Sequence, residues 1–192
     1  MSEADQRVIL SLCDGSGAWS RPYREAGYRV LAYDIEPTFS CEAQDVRLIQ
    51  VVDLPPIHGV LAAPPCTHLA QAGARWWRKK GTSALLNGLA LVDACLRVVF
   101  ATRPAWWALE NPEGRLRHYL GSPTMIFQPW EFGDPWSKRT LLWGRFNTGL
   151  RRTPVEPIEG SKVQHIPDTY RQRKLRAVTP PGFAGAFFEA NP

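Results

Sequence analysis

The chain has 192 residues, 44% hydrophobic and 11% aromatic, which suits one packed domain and excludes a disordered segment. No run of about 18 apolar residues stands out, so no membrane span is expected, and the polar, acidic start MSEADQRVIL does not read as a signal peptide. The formal charge is +5 but unevenly placed: between Lys138 and Arg176, ten Lys or Arg stand against three acidic residues, so the remainder carries a slight negative excess. Such a concentration suits a surface turned toward a polyanion, with a solvated basic face as the alternative. Cys13, Cys41, Cys66 and Cys95 are widely spaced without a CxxC pair, which argues against a zinc knuckle or disulfide framework. It favours thiols in a reducing, cytoplasmic setting, with no metal.

In chain order, Val8 to Leu12 is an apolar strand broken by Asp14-Gly15-Ser16-Gly17. Trp19 to Gly27 can form a short helix, with Pro22 tolerated only near its start. Arg29 to Tyr33 is a second strand with Asp34 at its end, and Gly59 to Ala63 a third, running into Pro64-Pro65-Cys66. From Ser83 to Phe100 the apolar residues Leu85, Leu86, Leu89, Val92, Leu96, Val99 and Phe100 recur at helical spacing. Ser83 is the expected N-cap, and Arg103-Pro104 the stop. Trp106 to Leu109 is a buried strand leading into Glu110-Asn111-Pro112, and Leu141 to Trp143 one more. Residues 147–176 show no strong period, and the tail from Thr179 to Ala190 reads as a turn and a short apolar helix. Strands alternating with helices predict a doubly wound, mostly parallel α/β sheet of Rossmann-like kind. Ligands bind such sheets beyond the carboxyl ends of the strands, where Asp14, Asp34, Cys66 and Glu110 all fall.

The glycine turn after the first strand suits a nucleotide-type cofactor, because glycine lets the backbone turn tightly and approach a ligand. It lacks the third glycine of the dinucleotide fingerprint, which disfavours NAD. Asp34 is placed to accept hydrogen bonds from ribose hydroxyls. Two prolines after an apolar strand fix the chain direction and present Cys66 at the sheet edge, where a thiolate nucleophile would be placed.

These segments, in this order, resemble the DNA cytosine-5 methyltransferases. LSLCDGSG resembles the cofactor-binding first motif, AYDIEP carries the acid for the ribose, and Gln44-Asp45-Val46 resembles the segment that meets the adenine amino group. APPCTHLA matches the catalytic Pro-Cys motif, LENPEGRL the Glu-Asn motif, and FGDPWSKRTLLWG the Arg-containing motif near the target base. The ending TPPGFAGAFFEAN would supply the C-terminal helix that closes over the cofactor. The resemblance implies a class I methyltransferase fold and S-adenosyl-L-methionine. It places the cofactor against Cys13, Asp14, Gly15, Ser16, Gly17, Asp34, Ile35, Asp45, Val46, Pro64 and Asn191. It implies Cys66 as nucleophile adding to C6 of cytosine and Glu110 acting near N3. Lys138 or Arg139 would face the base, and Asn111 would hold the loop. The partner it implies is double-stranded DNA, with the target base flipped out of the stack and the protein a monomer.

Arg75-Trp76-Trp77-Arg78-Lys79-Lys80 corresponds to the family's mobile DNA-closing loop, its basic residues meeting phosphates and an aromatic filling the gap left by the base. The alternative is a surface loop with both tryptophans tucked into the core. Arg151, Arg152, Arg171, Arg173 and Lys174 would add sequence-independent contacts.

The chain departs from the family pattern in three places. Trp136-Ser137-Lys138-Arg139-Thr140 replaces an Arg-x-Arg arrangement, which leaves open whether Lys138 or Arg139 faces the base. Pro112 stands where Val is usual. Only about thirty residues separate Phe146 from Arg176, where larger members carry a recognition domain, so a short recognition sequence is expected. Such compactness resembles phage-encoded members. The expected organisation is a catalytic domain over 1–146, a basic DNA-facing segment over 147–176, and a helix over 177–192 that packs back. The alternatives are a C5-transferase acting on RNA or single-stranded pyrimidines, and a non-catalytic nucleic-acid-binding module.

Overall fold

In the computed structural model, which describes residues 7–36, 41–161 and 177–192, seven strands form one sheet. They are β1 (Val8–Leu12), β2 (Arg29–Asp34), β3 (Glu42–Ala43), β4 (Gly59–Ala62), β5 (Trp106–Pro112), β6 (Met125–Phe127) and β7 (Thr140–Arg145). Their order is β3-β2-β1-β4-β5-β7-β6. β3, β2, β1, β4 and β5 pair in parallel, while β7 runs antiparallel to both β5 and β6. The fold is the mostly parallel, doubly wound α/β sheet that the alternation of strands and helices predicts.

All five residues of β1 are buried, as expected of a central parallel strand covered on both faces. The two-residue period of the strands sends neighbours to opposite sides. Leu10, Leu12, Val60, Ala62 and Leu109 pack beneath α2 (Trp77–Thr102) with Val92, Cys95, Val98 and Val99. Ile9, Leu61 and Ala108 face the other way, toward Trp19, Tyr23, Phe183 and Phe187. These last belong to the region of α1 (Arg21–Glu25) and to α4 (Pro181–Ala190), with the small α3 (Arg117–Leu120) preceding β6.

Several elements differ from the sequence expectation. α1 covers only Arg21–Glu25, with Pro22 in its first turn, and Trp19 is fully buried ahead of it. α2 begins before Ser83: a 3-10 turn over Gln71–Trp76 leads into Trp77, and Gly81 (φ +71°) breaks the helix once. The stretch Arg75–Lys80, expected as a loop, is therefore helical. Arg103 ends α2 in a left-handed conformation, donating its N–H to the Val99 carbonyl at 3.0 Å. On length and composition alone, Gln71–Thr102 could cross a membrane, contrary to the expectation from the sequence. Its buried residues nonetheless pack against the sheet, as in the core helix of a globular domain. β5 continues through Glu110 and Asn111 instead of stopping at Leu109, and β6 was not foreseen.

Candidate active site

The strand order reverses between β1 and β4, and sheets of this kind bind ligands beyond the carboxyl ends of the strands at such a point. Cys13 leaves β1 with φ +59°, its N–H on the Tyr33 carbonyl at 2.8 Å. Asp14 is 5% exposed and accepts from Ser16 Oγ (2.9 Å), Ser11 Oγ (3.3 Å) and the Ser20 N–H (3.3 Å). Burial pushes its carboxyl above the ordinary range, a rise that these hydrogen bonds offset only in part. Asp14 thus organises the glycine turn from inside; Ser16 is exposed, Gly15 half-buried and Gly17 buried. A Cβ on Gly15 would stand 3.2 Å from the Asp34 carboxylate. This close pairing of bare backbone with a carboxylate acceptor fits the ribose of a nucleoside cofactor. Ile35 is 65% exposed beside it.

Other expected cofactor residues are spent differently. Both Asp45 oxygens take the Arg47 guanidinium, and Oδ1 also accepts the Arg47 N–H, capping a 3-10 turn over Val46–Leu48. Hydrogen bonding to Arg47 holds this carboxyl below its ordinary range. The Val46 side chain is buried in the core, and its carbonyl accepts from Arg97 Nη2 at 3.4 Å. The neighbouring Cys95, together with burial, pushes the Cys13 thiol far above its ordinary value.

The Asn191 amide is engaged away from the glycine turn. Its Oδ1 accepts the Asn147 N–H at 2.7 Å, and its Nδ2 donates to the Asn147 and Phe187 carbonyls. Neighbouring Pro192 meets His58, which precedes β4. Asn191 therefore lies at the amino edge of the parallel strands, across the sheet from the glycine turn, and locks the tail to the chain after β7.

The chemistry-bearing residues gather at the carboxyl edge. β4 and β5 pair with Ala62 opposite Leu109, so the Pro64-Pro65-Cys66 turn leaves β4 beside Glu110 on β5. Asn111 is fully buried and donates from Nδ2 to the Pro64 carbonyl at 2.9 Å, which fixes the proline turn to β5. The Cys66 carbonyl accepts from the N–H groups of Leu69 and Ala70, both at 2.9 Å. Cys66 is half-buried and its sulfur is a thiol. Beyond it, Ala70 and Gly114 bridge: Gln71 N–H donates to the Glu113 carbonyl (2.8 Å) and Arg115 N–H to that of Leu69 (2.9 Å). Glu113 N–H donates in turn to the Arg139 carbonyl (2.9 Å). The three motif-bearing segments are thereby zipped together through their backbones.

Lys138 and Arg139 diverge. Lys138 Nζ pairs with Glu110 Oε1 at 3.4 Å, both side chains only 13–14% exposed. Arg139 points outward and donates from Nε to Glu113 Oε2 at 2.7 Å, where Arg117 also pairs. The hydrogen bond from Arg139, reinforced by Arg117, holds the Glu113 carboxyl below its ordinary range.

No family model matches the chain, and no curated protein does. Solved structures do. One is a candidate DNA modification methyltransferase encoded within an E. coli prophage, 17% identical with a TM-score of 0.50. What the two share is the fold. The match covers 77% of this chain and 49% of that one, so this chain spans about half the length of its structural neighbour. A Burkholderia thailandensis 1,6-didemethyltoxoflavin-N1-methyltransferase is more distant, 13% identical with a TM-score of 0.37 over 72% of this chain and 55% of that one.

The basic residues fall into two groups. Arg75 and Lys79 lie over the Trp76 ring at 5.4 and 5.8 Å, and Lys80 Nζ donates to the Thr67 carbonyl at 3.1 Å. Trp76 is 46% exposed and Arg78 is exposed, whereas Trp77 turns inward and stacks with Arg115, 4.6 Å from the guanidinium. The two tryptophans thus part, Trp77 turned toward Arg115 and Trp76 left at the surface. Arg151 is exposed and Arg152 pairs with Glu131 at 3.4 Å. The expected contacts Arg171, Arg173 and Lys174 lie outside the described residues. Glu113 and Arg115 were not singled out in the sequence, because a charged residue in an irregular turn carries no periodic signal.

Proposed function

We propose that this chain is an S-adenosyl-L-methionine-dependent DNA cytosine C5-methyltransferase with Cys66 as its nucleophile. The observation that carries the reading is the locked edge. Pro64-Pro65-Cys66 is tied through Asn111 to the strand bearing Glu110, and Glu110 has Lys138 beside it. The glycine turn and Asp34 would hold the cofactor, which when bound supplies an electrophilic methyl group.

C5 of cytosine is a poor nucleophile, so the residues must first break the aromaticity of the ring. The Cys66 thiolate adds to C6, Glu110 hydrogen-bonds or protonates N3, and electron density moves to C5. The bound cofactor would supply the methyl group to C5 and would be left as its neutral thioether; loss of the C5 proton to a base then lets the C6–sulfur bond break and returns the thiolate. Lys138, as the cation paired with Glu110, orients that carboxyl toward the base, while Arg139 serves the surface. The base enters after leaving the duplex stack, at a cost of a few kcal/mol. Residues 1–146 form the catalytic domain and 147–176 a basic DNA-facing segment. Residues 177–192 contribute α4, and the recognition sequence is short.

The test is covalent trapping on duplex DNA carrying 5-fluorocytosine, where fluorine replaces the departing C5 proton and the adduct cannot resolve. A cofactor-dependent adduct with the wild type and none with Cys66→Ala is expected. No adduct on any duplex, despite measurable cofactor binding, overturns the proposal.

A further inference from the structure

We propose that Arg115 is a positioning residue for Cys66, acting through the main chain that follows the thiol. This inference rests on the reading of Cys66 as nucleophile. Three contacts converge on the one side chain and its backbone. The Arg115 N–H donates to the Leu69 carbonyl at 2.9 Å, Nε donates to the His68 carbonyl at 2.8 Å, and the guanidinium lies 4.6 Å from the Trp77 ring centroid. Leu69 is the residue whose own N–H holds the Cys66 carbonyl. The chain of bonds therefore runs from Cys66 through the Leu69 peptide to Arg115, five residues after Glu110 on the same polypeptide. One residue clamps the far end of the nucleophile's turn, the start of α2 and the segment leaving β5.

The clamp is a poor device for stability alone. Arg115 Nη2, Trp77 Nε1 and His68 Nδ1 are all buried without a hydrogen-bond partner among the described residues, and unpaired buried nitrogens weaken a fold. The approach of the two segments is also close: a Cβ on Gly114 would stand 2.1 Å from the Leu69 carbonyl oxygen. Such crowding transmits a change at Arg115 to the Cys66 turn instead of absorbing it. A planar guanidinium can bond a carbonyl in its plane while stacking on an indole through its face, which an ammonium cannot do.

The experiment compares wild type, Cys66→Ala, Arg115→Ala and Arg115→Lys in the full chain, by single-turnover methyl transfer at saturating duplex DNA and by 5-fluorocytosine adduct formation. Arg115→Ala is expected to lose about 100-fold in transfer rate, the scale of a displaced reacting group, with its affinity for DNA changed less than about threefold. Arg115→Lys, which keeps one donor for the His68 carbonyl, recovers about tenfold of that loss. A transfer rate within threefold of wild type for Arg115→Ala, with the wild-type adduct intact, overturns this proposal and leaves the role of Cys66 standing. Absence of the adduct from wild type overturns both. Where Arg115→Ala does not fold, Arg115→Lys decides: an intermediate rate at unchanged DNA affinity supports positioning, and the wild-type rate refutes it.

Discussion

At Glu110 and Lys138, two side chains with opposite charges are held 3.4 Å apart with little exposure to water. Removing one partner leaves the other poorly solvated, which costs more than the pair itself contributes. Lys138→Met should lower stability by about 1–3 kcal/mol and reduce methyl transfer, while Arg139→Met, whose side chain is half exposed against Glu113, should leave the single-turnover rate near wild type. Thermal melts and single-turnover assays on both variants separate the roles; equal losses would contradict the assignment of Lys138 to the base. Glu113 gives a pH signature. Its carboxyl is held below the ordinary value by Arg139 and then Arg117, so its contribution is present above the unfolded-state value and is lost as pH falls through the folded one. The melting temperature of wild type should exceed that of Glu113→Gln at pH 7, and the gap should close below about pH 4. The pairs are partly exposed, so the gap is small, about 1 kcal/mol or less.

Among the elements, two glycines separate packing from backbone conformation. A Cβ on Gly114 would meet the Leu69 carbonyl oxygen at 2.1 Å and Gln71 N at 2.9 Å, all main-chain atoms that cannot step aside. Gly81 adopts φ +71° with nothing within 4 Å of a Cβ, so a substitution there meets strain but no obstacle. Gly114→Ala should therefore lower the melting temperature more than Gly81→Ala and abolish transfer. The reverse order in melts of the two variants would show that the bridge between residues 70 and 114 is loose.

The same contrast explains what the sequence revealed. β1, β4 and the end of α2 were legible because Val8–Leu12 and Gly59–Ala62 are short, mostly apolar runs and Arg103-Pro104 is a strong stop. β6 was not, since Met125–Phe127 is three residues long and is a strand only because β7 pairs with it. The carboxyl-edge placement of Asp34, Cys66 and Glu110 followed from strand ends. The fate of Asn191 could not, because its amide is consumed by Asn147, 44 residues away. The divergence of Lys138 and Arg139 also depended on partners distant in the chain, Glu110 and Glu113.

For the whole molecule, the question is whether the surplus positive charge serves a nucleic acid or merely solvates the surface. The described structure offers cations in two different states. Arg75 and Lys79 flank an exposed Trp76 on the segment that follows the Cys66 turn, and neither has an acidic partner among the ion pairs of the described residues. Arg152 is already paired with Glu131. A cation that neutralises a phosphate releases a counterion, so each such contact adds about 0.9 to the slope of log affinity against log salt. Replacing Arg75 and Lys79 together by Gln should therefore weaken DNA binding and reduce that slope by about two, whereas Arg152→Gln should change it little. Fluorescence anisotropy with a labelled duplex at several salt concentrations measures both. A slope unchanged by the double substitution would mean that Trp76 and its two cations form a solvated face. The DNA would then have to approach Cys66 from another side of the carboxyl edge.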